Sequence, residues 1–472
     1  MSAPPATVLR TGLSALLEAV AAEAPHLDVR APSAATAPFA WDAGTAPRHG
    51  EGVEVDGPAV AFPTTALEVQ QLVRLAARYG VSVVPRGAGS GLSGGATATR
   101  DQLVVSTDRL DRIVEVSPAD EIAVVEPGVL NAALNEHLAP LGLFYAPDPA
   151  SWRISTIGGN IATNAGGLRC AKYGVTRESV LALDVVLADG SLVSIGHRSI
   201  KGVTGLDLVS LFVGSEGVLG IVVAATVRIR PLPVARRTVT AFFASTAAGA
   251  AAIGAITASR VRPSVIEFLD EPTLDGIDAA NDSGLRTRGA ALLLIELDGF
   301  GIEEQTAELT TALEAVGARV AVESEADAET LWELRRSGRR LGDGSWFVGG
   351  DVAVPKSRIA DVFAGFPALE ARYGVAVSAV AHAGDGNLHP VITLPIPAGA
   401  DPATVPAVLH DAADDLVRAA LSVGGTVSGE HGIGTVKRDL AAEELIERVR
   451  IAQLAIKHAL DPAGLFNPGK AL

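Results

Sequence analysis

Sulfur is nearly absent from this chain, which has one cysteine, Cys170, and one methionine in 472 residues. A single thiol excludes an intrachain disulfide framework and an all-cysteine iron–sulfur cluster, so the chain carries no second redox centre of that kind. Cys170 reads as a small, partly buried residue. Cations are also in deficit: 38 Lys and Arg face 54 Asp and Glu, a net charge of −16, and no Lys/Arg run offsets it. A polyanion is repelled at long range, which argues against nucleic acid as a partner. A small anionic substrate would need a local cluster of Arg, Lys or metal. No basic stretch leads into an apolar one at the start, because Arg10 is the first cation and Glu18 and Glu23 follow soon after. No signal peptide is therefore expected. The uncharged run Thr238 to Ser259 is long enough to raise the question of a membrane span. Its Ala, Gly, Ser and Thr content instead reads as a strand followed by a helix. The expected location is cytoplasmic, with peripheral attachment to a membrane allowed.

Glycine, by contrast, is plentiful, with 50 residues, and 48 % of the chain is hydrophobic against 19 % charged, a globular composition. The length calls for two or three domains. From about 58 to 235, short β-rich runs alternate with helices and Gly-rich turns. They include a helix over Ala66 to Tyr79 with apolar residues at helical spacing, and a hairpin with Asp189-Gly190 as a type I′ turn. From about 236, strands and helices continue in an α+β pattern. WFVGGDVAVP reads as one strand, and so does VAVSAVAHAGDGNLHPVITL. A long helix is expected from about Ala441 to Ala459.

The chain has nine His, and three of them fall in two short Gly-rich segments: HAGDGNLH, from His382 to His389, and SGEHGIG, from Ser428 to Gly434. His382, His389 and His431 with Glu430 can hold a divalent cation, because neutral imidazole and carboxylate suit zinc, iron or manganese. Glycine beside such ligands lets the backbone turn tightly. A hydrogen-bonded core role for each His is the competing interpretation.

PRGAGSGLSGG, from Pro85 to Gly95, offers consecutive backbone N–H groups to a phosphate. It is no P-loop, since no Gly-Lys-Ser/Thr closes it, and it fits the Rossmann fingerprint poorly. TIGGNIATNAGGLRCAKYG, from Thr156 to Gly174, and GSEGVLGI, from Gly214 to Ile221, are further polar, Gly-rich segments of the kind that cradle ligands. Three such loops in one domain suit a dinucleotide threaded between them.

These motifs, in this order, resemble the flavin-binding domain of the vanillyl-alcohol oxidase/p-cresol methylhydroxylase type. The two His segments and the terminal DPAGLFNPGK resemble the branch holding D-lactate dehydrogenases, D-2-hydroxyglutarate dehydrogenases and the glycolate oxidase catalytic subunit. The resemblance implies an α+β fold: a p-cresol methylhydroxylase-type FAD-binding domain of two α+β subdomains, and an α+β cap with a largely antiparallel sheet. A C-terminal helical segment would return to the flavin. The expected bounds are 1–57 for an N-terminal helical segment, 58–235 for the FAD domain, 236–420 for the cap and 421–472 for the C-terminal segment.

By the same resemblance, FAD would lie on Pro85, Arg86, Gly87, Ala88, Gly89, Ser90 and Gly94. Pro147, Asp148, Gly158, Gly159, Asn160, Thr163 and Gly166 would line the flavin, Glu216 and Ile221 would stand near the adenine side, and Asn467 would return to the ring. Some relatives attach FAD through a His in the first loop. Ala88, Gly89 and Ser90 stand there instead, so FAD is expected to be non-covalent. His382, His389 and Glu430 would hold a divalent metal, zinc foremost, with manganese or iron as alternatives. His431 would be the general base, and Arg335, with Arg339 one helical turn on, would bind a carboxylate.

The implied reaction is oxidation of a D-2-hydroxy acid, such as D-lactate or glycolate, to the 2-oxo acid. Electrons would pass to an electron-transfer flavoprotein, a quinone, a cytochrome or an iron–sulfur subunit; a homodimer is compatible with this reading. An oxidase using O2 and a D-2-hydroxyglutarate dehydrogenase are the alternatives. The latter is disfavoured because Arg339, Gly349 and Val391 replace the Thr, Lys and Asn of that enzyme type.

Overall fold

The helix Ala66–Tyr79 shows how local sequence sets up the first layer. Thr65 caps it by accepting the Glu68 N–H, Gly80 closes it at φ 67, and Val69, Leu72, Val73 and Ala76 form its buried stripe. It connects strands Ala59–Ala61 and Val83–Arg86, which run parallel to Leu103–Ser106 between them. Val29–Arg30 adds an antiparallel edge, so a strand joins the helix Leu13–Glu23 in the N-terminal segment. The computed structural model describes residues 12–47, 56–337 and 344–472.

A second, antiparallel sheet follows, in the order Ile113–Ser117, Ile122–Val125, Ile221–Arg228, Val180–Val186, Leu192–Gly196. Its last two strands form the expected hairpin, but the turn is not type I′. That turn needs positive φ at both central residues. Only Gly190 has it, at φ 75, and Leu187 closes the loop by donating to the Ser191 carbonyl. Three apolar clusters fill this half, one on each face of the parallel sheet and one under the antiparallel sheet.

The third sheet has eight strands, all paired antiparallel, with Arg319–Val322 at one edge and Ser345–Gly349 at the other. Helices Thr246–Ala258, Ile302–Glu314, Ile359–Tyr373 and Ala407–Ser422 bring their buried apolar faces to its core. This is the largely antiparallel cap expected from the sequence. Among the described residues no helix is long and apolar enough to cross a membrane. The run Thr238 to Ser259 is the end of strand Arg236–Phe243 and the helix Thr246–Ala258.

Three element expectations are corrected, each where a glycine or a turn breaks the chain. VAVSAVAHAGDGNLHPVITL is a hairpin of Ala376–His382 and Asn387–Pro395, with positive φ 95 at Gly386 in its turn. Its register sets His389 opposite Val380 and Asn387 opposite His382. WFVGGDVAVP is two strands, Ser345–Gly349 and Val352–Ala353, and Gly350 and Asp351 lie in the break. The expected long C-terminal helix is two, Arg438–Glu444 and Glu447–Leu460. The tail then returns to the first half: Phe466 bridges Val83, and the Asn467 N–H donates to the Val83 carbonyl at 2.8 Å.

Candidate active site

The first glycine loop leaves strand Val83–Arg86 and is held from behind. Ala43 and Gly44 donate N–H groups to the carbonyls of Gly89 and Gly91 at 2.9 and 3.0 Å. The buried Arg86 guanidinium donates to the carbonyls of Trp41 at 2.7 Å, Ala96 at 3.1 Å and Pro38 at 3.3 Å. Arg86 therefore braces the loop. The N–H groups of Gly87 to Gly91 find no acceptor among the described residues. They line a cavity of about 400 Å³ whose walls are this loop, the Thr156–Thr163 segment, Ser215 to Gly217, and Ile221. A Cβ on Gly87 would run into Thr156 Oγ1, so the two loops approach as closely as they do because residue 87 has no side chain. A glycine cradle with unused N–H donors fits the pyrophosphate of a dinucleotide.

Of the expected cofactor residues, Pro85, Arg86, Gly87, Ala88, Gly89, Ser90, Gly158, Gly159, Asn160, Thr163, Glu216 and Ile221 line this cavity. The other five do not line it. Gly94, at φ 80, packs against Thr435. The Pro147 carbonyl takes Asn131 Nδ2 at 2.9 Å, and Asp148 takes the Arg169 N–H at 3.0 Å. Gly166 lies beside Glu430. Asn467 Nδ2 donates to the carbonyls of Gly95 and Glu216 at 2.9 and 2.7 Å.

Glu430 and His431 belong to the wall of the same cavity. Two buried carboxylates pin their loop there, one from the turn before strand Ile221–Arg228 and one from the break between Ser345–Gly349 and Val352–Ala353. Glu216, at positive φ 49, accepts the N–H groups of Ile433 and Gly434 at 2.7 Å each. Asp351 accepts those of Gly429 at 3.1 Å, Glu430 at 3.2 Å and His431 at 3.0 Å, with Ser428 Oγ at 2.7 Å and Lys437 Nζ at 3.2 Å. Burial pushes the Asp351 carboxyl up, but Lys437 and the neighbouring imidazoles outweigh it and hold it well below the usual carboxylate range. Burial raises Glu216 despite its two N–H donors.

The two His segments meet. His389 Nε2 lies 3.1 Å and His382 Nε2 3.7 Å from Glu430 Oε1. Ligand atoms of His382, His389 and Glu430 all lie within 4.8 Å of one another. The other carboxylate oxygen, Glu430 Oε2, is buried with no partner among the described residues. An orphaned carboxylate oxygen beside two imidazoles fits a divalent cation, which would supply the missing contact. Asp351, His389 and His431 also converge, but five donors already occupy the Asp351 carboxylate, which suits it to holding the loop. Burial works against ionising Glu430, yet the two imidazoles hold its pKa well below normal. Burial likewise opposes charge on His382, and Glu267 and Glu430 outweigh it, raising that imidazole well above its usual value. The His431 ring stacks on His389 at 5.3 Å between centroids, and burial lowers its pKa.

Arg335, on helix Glu325–Ser337, reaches this cluster through Glu267. Its Nε and Nη2 lie 2.6 and 2.5 Å from Glu267 Oε2, while Glu267 Oε1 lies 2.6 Å from His382 Nδ1. Arg339 lies outside the described residues. Sequence reading missed Glu267 and Asp351. The available signals were a lone Glu inside the apolar run VIEFL, and an Asp after a Gly-Gly break in a strand.

Two family models match, one described as the FAD-linked oxidase C-terminal domain over residues 232–471 and the other as an FAD binding domain over 58–196. The chain belongs to the FAD-linked oxidases. It is 38 % identical to the glycolate oxidase subunit GlcD of Bacillus subtilis, over 87 % of this chain and 88 % of the relative. It is 32 % identical to a D-lactate dehydrogenase of Archaeoglobus fulgidus, over 88 % of this chain and 91 % of the relative. A crystal structure of p-cresol methylhydroxylase with substrate bound shares the fold, with a TM-score of 0.76 at 18 % identity, over 97 % of this chain and 96 % of that one. The chain is thus an FAD-linked oxidoreductase with the p-cresol methylhydroxylase-type fold.

Proposed function

We propose that this enzyme oxidises a small D-2-hydroxy acid, such as D-lactate or glycolate, to the 2-oxo acid with non-covalent FAD and a divalent cation. The observation that carries the reading is that Glu430 and His431 share one cavity with the unused N–H donors of the glycine loop. Relatives named as a glycolate oxidase subunit and a D-lactate dehydrogenase support the substrate class.

Bound FAD supplies the two-electron acceptor. His382, His389 and Glu430 would hold the cation, which would supply Lewis acidity. His431, kept neutral by burial, accepts the hydroxyl proton at a ring nitrogen. Asp351 fixes its backbone, and the stacked His389 ring fixes its plane. Arg335 orients the substrate carboxylate with the guanidinium edge that Glu267 leaves over. The electrons leave for an external acceptor, since one cysteine cannot build an iron–sulfur cluster.

The test is anaerobic flavin bleaching by a panel of D- and L-2-hydroxy acids, with and without chelator, followed by readmission of air or an artificial acceptor. Rapid, chelator-sensitive bleaching by D-acids or glycolate is expected. A panel in which no 2-hydroxy acid bleaches the flavin ends the proposal. Reoxidation by air as fast as by the artificial acceptor would make the enzyme an oxidase.

A further inference from the structure

We infer that Glu267 is a positioning residue of the cation site, holding the His382 ring so that Nε2 faces Glu430 and tying that ring to Arg335. The inference rests on the cation site proposed above and assigns a role to a residue outside the ligand set.

Register sets up the contact. Glu267 and His382 are direct antiparallel neighbours on strands Val265–Leu269 and Ala376–His382. Side chains of such cross-strand partners leave the sheet on the same face, about 5 Å apart at Cβ. All five residues of Val265–Leu269 are buried, and the Glu267 side chain has no exposure at all. A carboxylate is expensive to bury unless each oxygen is matched. Here the division is complete: Oε1 faces His382 Nδ1 at 2.6 Å, and Oε2 faces Arg335 Nε and Nη2 at 2.6 and 2.5 Å.

That division has a consequence for the metal. A carboxylate only accepts, so His382 Nδ1 keeps its proton, and the proton a cation would displace is the one on Nε2, which opens that lone pair to it. Histidines that ligate metals commonly donate their other ring N–H to a carboxylate, and loss of that partner weakens the metal by about 10- to 100-fold. The Arg335 fork, also fixed on Oε2, keeps the Glu267 carboxylate from rotating.

Glu267→Gln separates this role from packing because the side chain keeps its shape. Arg335 offers only donors, so the new amide must turn its oxygen to Arg335 and its NH2 to His382 Nδ1. Nδ1 then has to accept, the ring proton moves to Nε2, and the ligand is blocked. The experiment uses FAD-loaded, chelator-stripped protein titrated with Co2+ by calorimetry and visible absorption. Glu267→Gln is expected to bind Co2+ about 10- to 100-fold more weakly than the unmodified chain, at unchanged FAD content. If it binds as tightly, the role of Glu267 is overturned while the cation site stands. If the unmodified chain takes up no Co2+, the cation reading falls and this inference with it.

Should Glu267→Gln fail to fold, the unmodified protein still decides. With 15N-labelled histidine and Zn2+, and His382 assigned by loss of its signal in His382→Gln, the proton is expected on Nδ1. A proton on Nε2 overturns the inference.

Discussion

Asp351 accepts the backbone N–H of His431 at 3.0 Å from 80 residues earlier in the chain. The same carboxylate faces Lys437 Nζ at 3.2 Å and has a fully buried side chain. Removing one partner of a buried ion pair leaves the other charge stranded, a loss of about 3–5 kcal/mol. Asp351→Ala is therefore expected to lower unfolding stability by about that much, read as a shift of the urea midpoint at constant slope. An unshifted midpoint would show that the loop is held by other contacts.

His431 should matter to chemistry and little to cofactor binding. Asn at that position keeps a polar side chain but cannot take up a proton near neutral pH. General base catalysis is worth about 10²- to 10⁴-fold, so His431→Asn should slow anaerobic flavin reduction by that factor. FAD content should stay as in the unmodified chain. Equal rates in stopped-flow reduction would remove His431 as the base.

Much of this arrangement is legible in the chain. The helix Ala66–Tyr79 carries a capping Thr, an apolar stripe and a closing Gly, all local signals, and its observed bounds coincide with the expected ones. The two His segments stand out by composition, and the fold places them together. What sequence hides is set by pairing between distant strands. Nothing local tells that Glu267 stands opposite His382, because that register follows from packing a sheet of eight strands. Glu216, read as an adenine-side residue, holds the N–H groups of Ile433 and Gly434, a contact spanning more than 200 residues. Turn errors have a different origin. HAGDGNLH looks like part of a continuous strand because its apolar flanks run on, and only the positive φ at Gly386 exposes the reversal.

Two glycines separate cradle from scaffold. Gly87 faces Thr156 across the cofactor cavity, with no room for a Cβ, whereas Gly254 lies in the exposed face of helix Thr246–Ala258 with nothing within 4 Å. Gly87→Ala should weaken FAD retention by at least about tenfold, or about 1.4 kcal/mol, measured as flavin lost on dialysis. Gly254→Ala should retain FAD and gain about 0.8–1.0 kcal/mol of stability from helix propensity. Equal FAD retention by the two variants would mean that the loop spacing at Gly87 is not what holds the cofactor.

Lys470 supplies a pH signature that can be assigned to one residue. Its ammonium is buried behind the glycine loop, donating to the Thr97 carbonyl and, at 2.7 Å, to Asn467 Oδ1. Burial brings its pKa down from 10.5 to about 8, with Asp42 and Glu216 only partly opposing. The folded state thus gives up this proton before the unfolded chain does. Between about pH 8 and 10.5 the unfolded chain binds more protons, so stability rises with pH across that window. The contribution is fully present above the unfolded pKa and is lost as pH falls through about 8. A shift of this size corresponds to about 3 kcal/mol. Other lysines and tyrosines titrate in the same range, so the quantity to follow is the difference between the unmodified chain and Lys470→Met in urea unfolding. That difference should move in favour of the unmodified chain by about 3 kcal/mol as pH is raised through the window. A difference that stays flat would mean that Lys470 titrates alike in both states, and that the C-terminal tail admits water where the structure buries it.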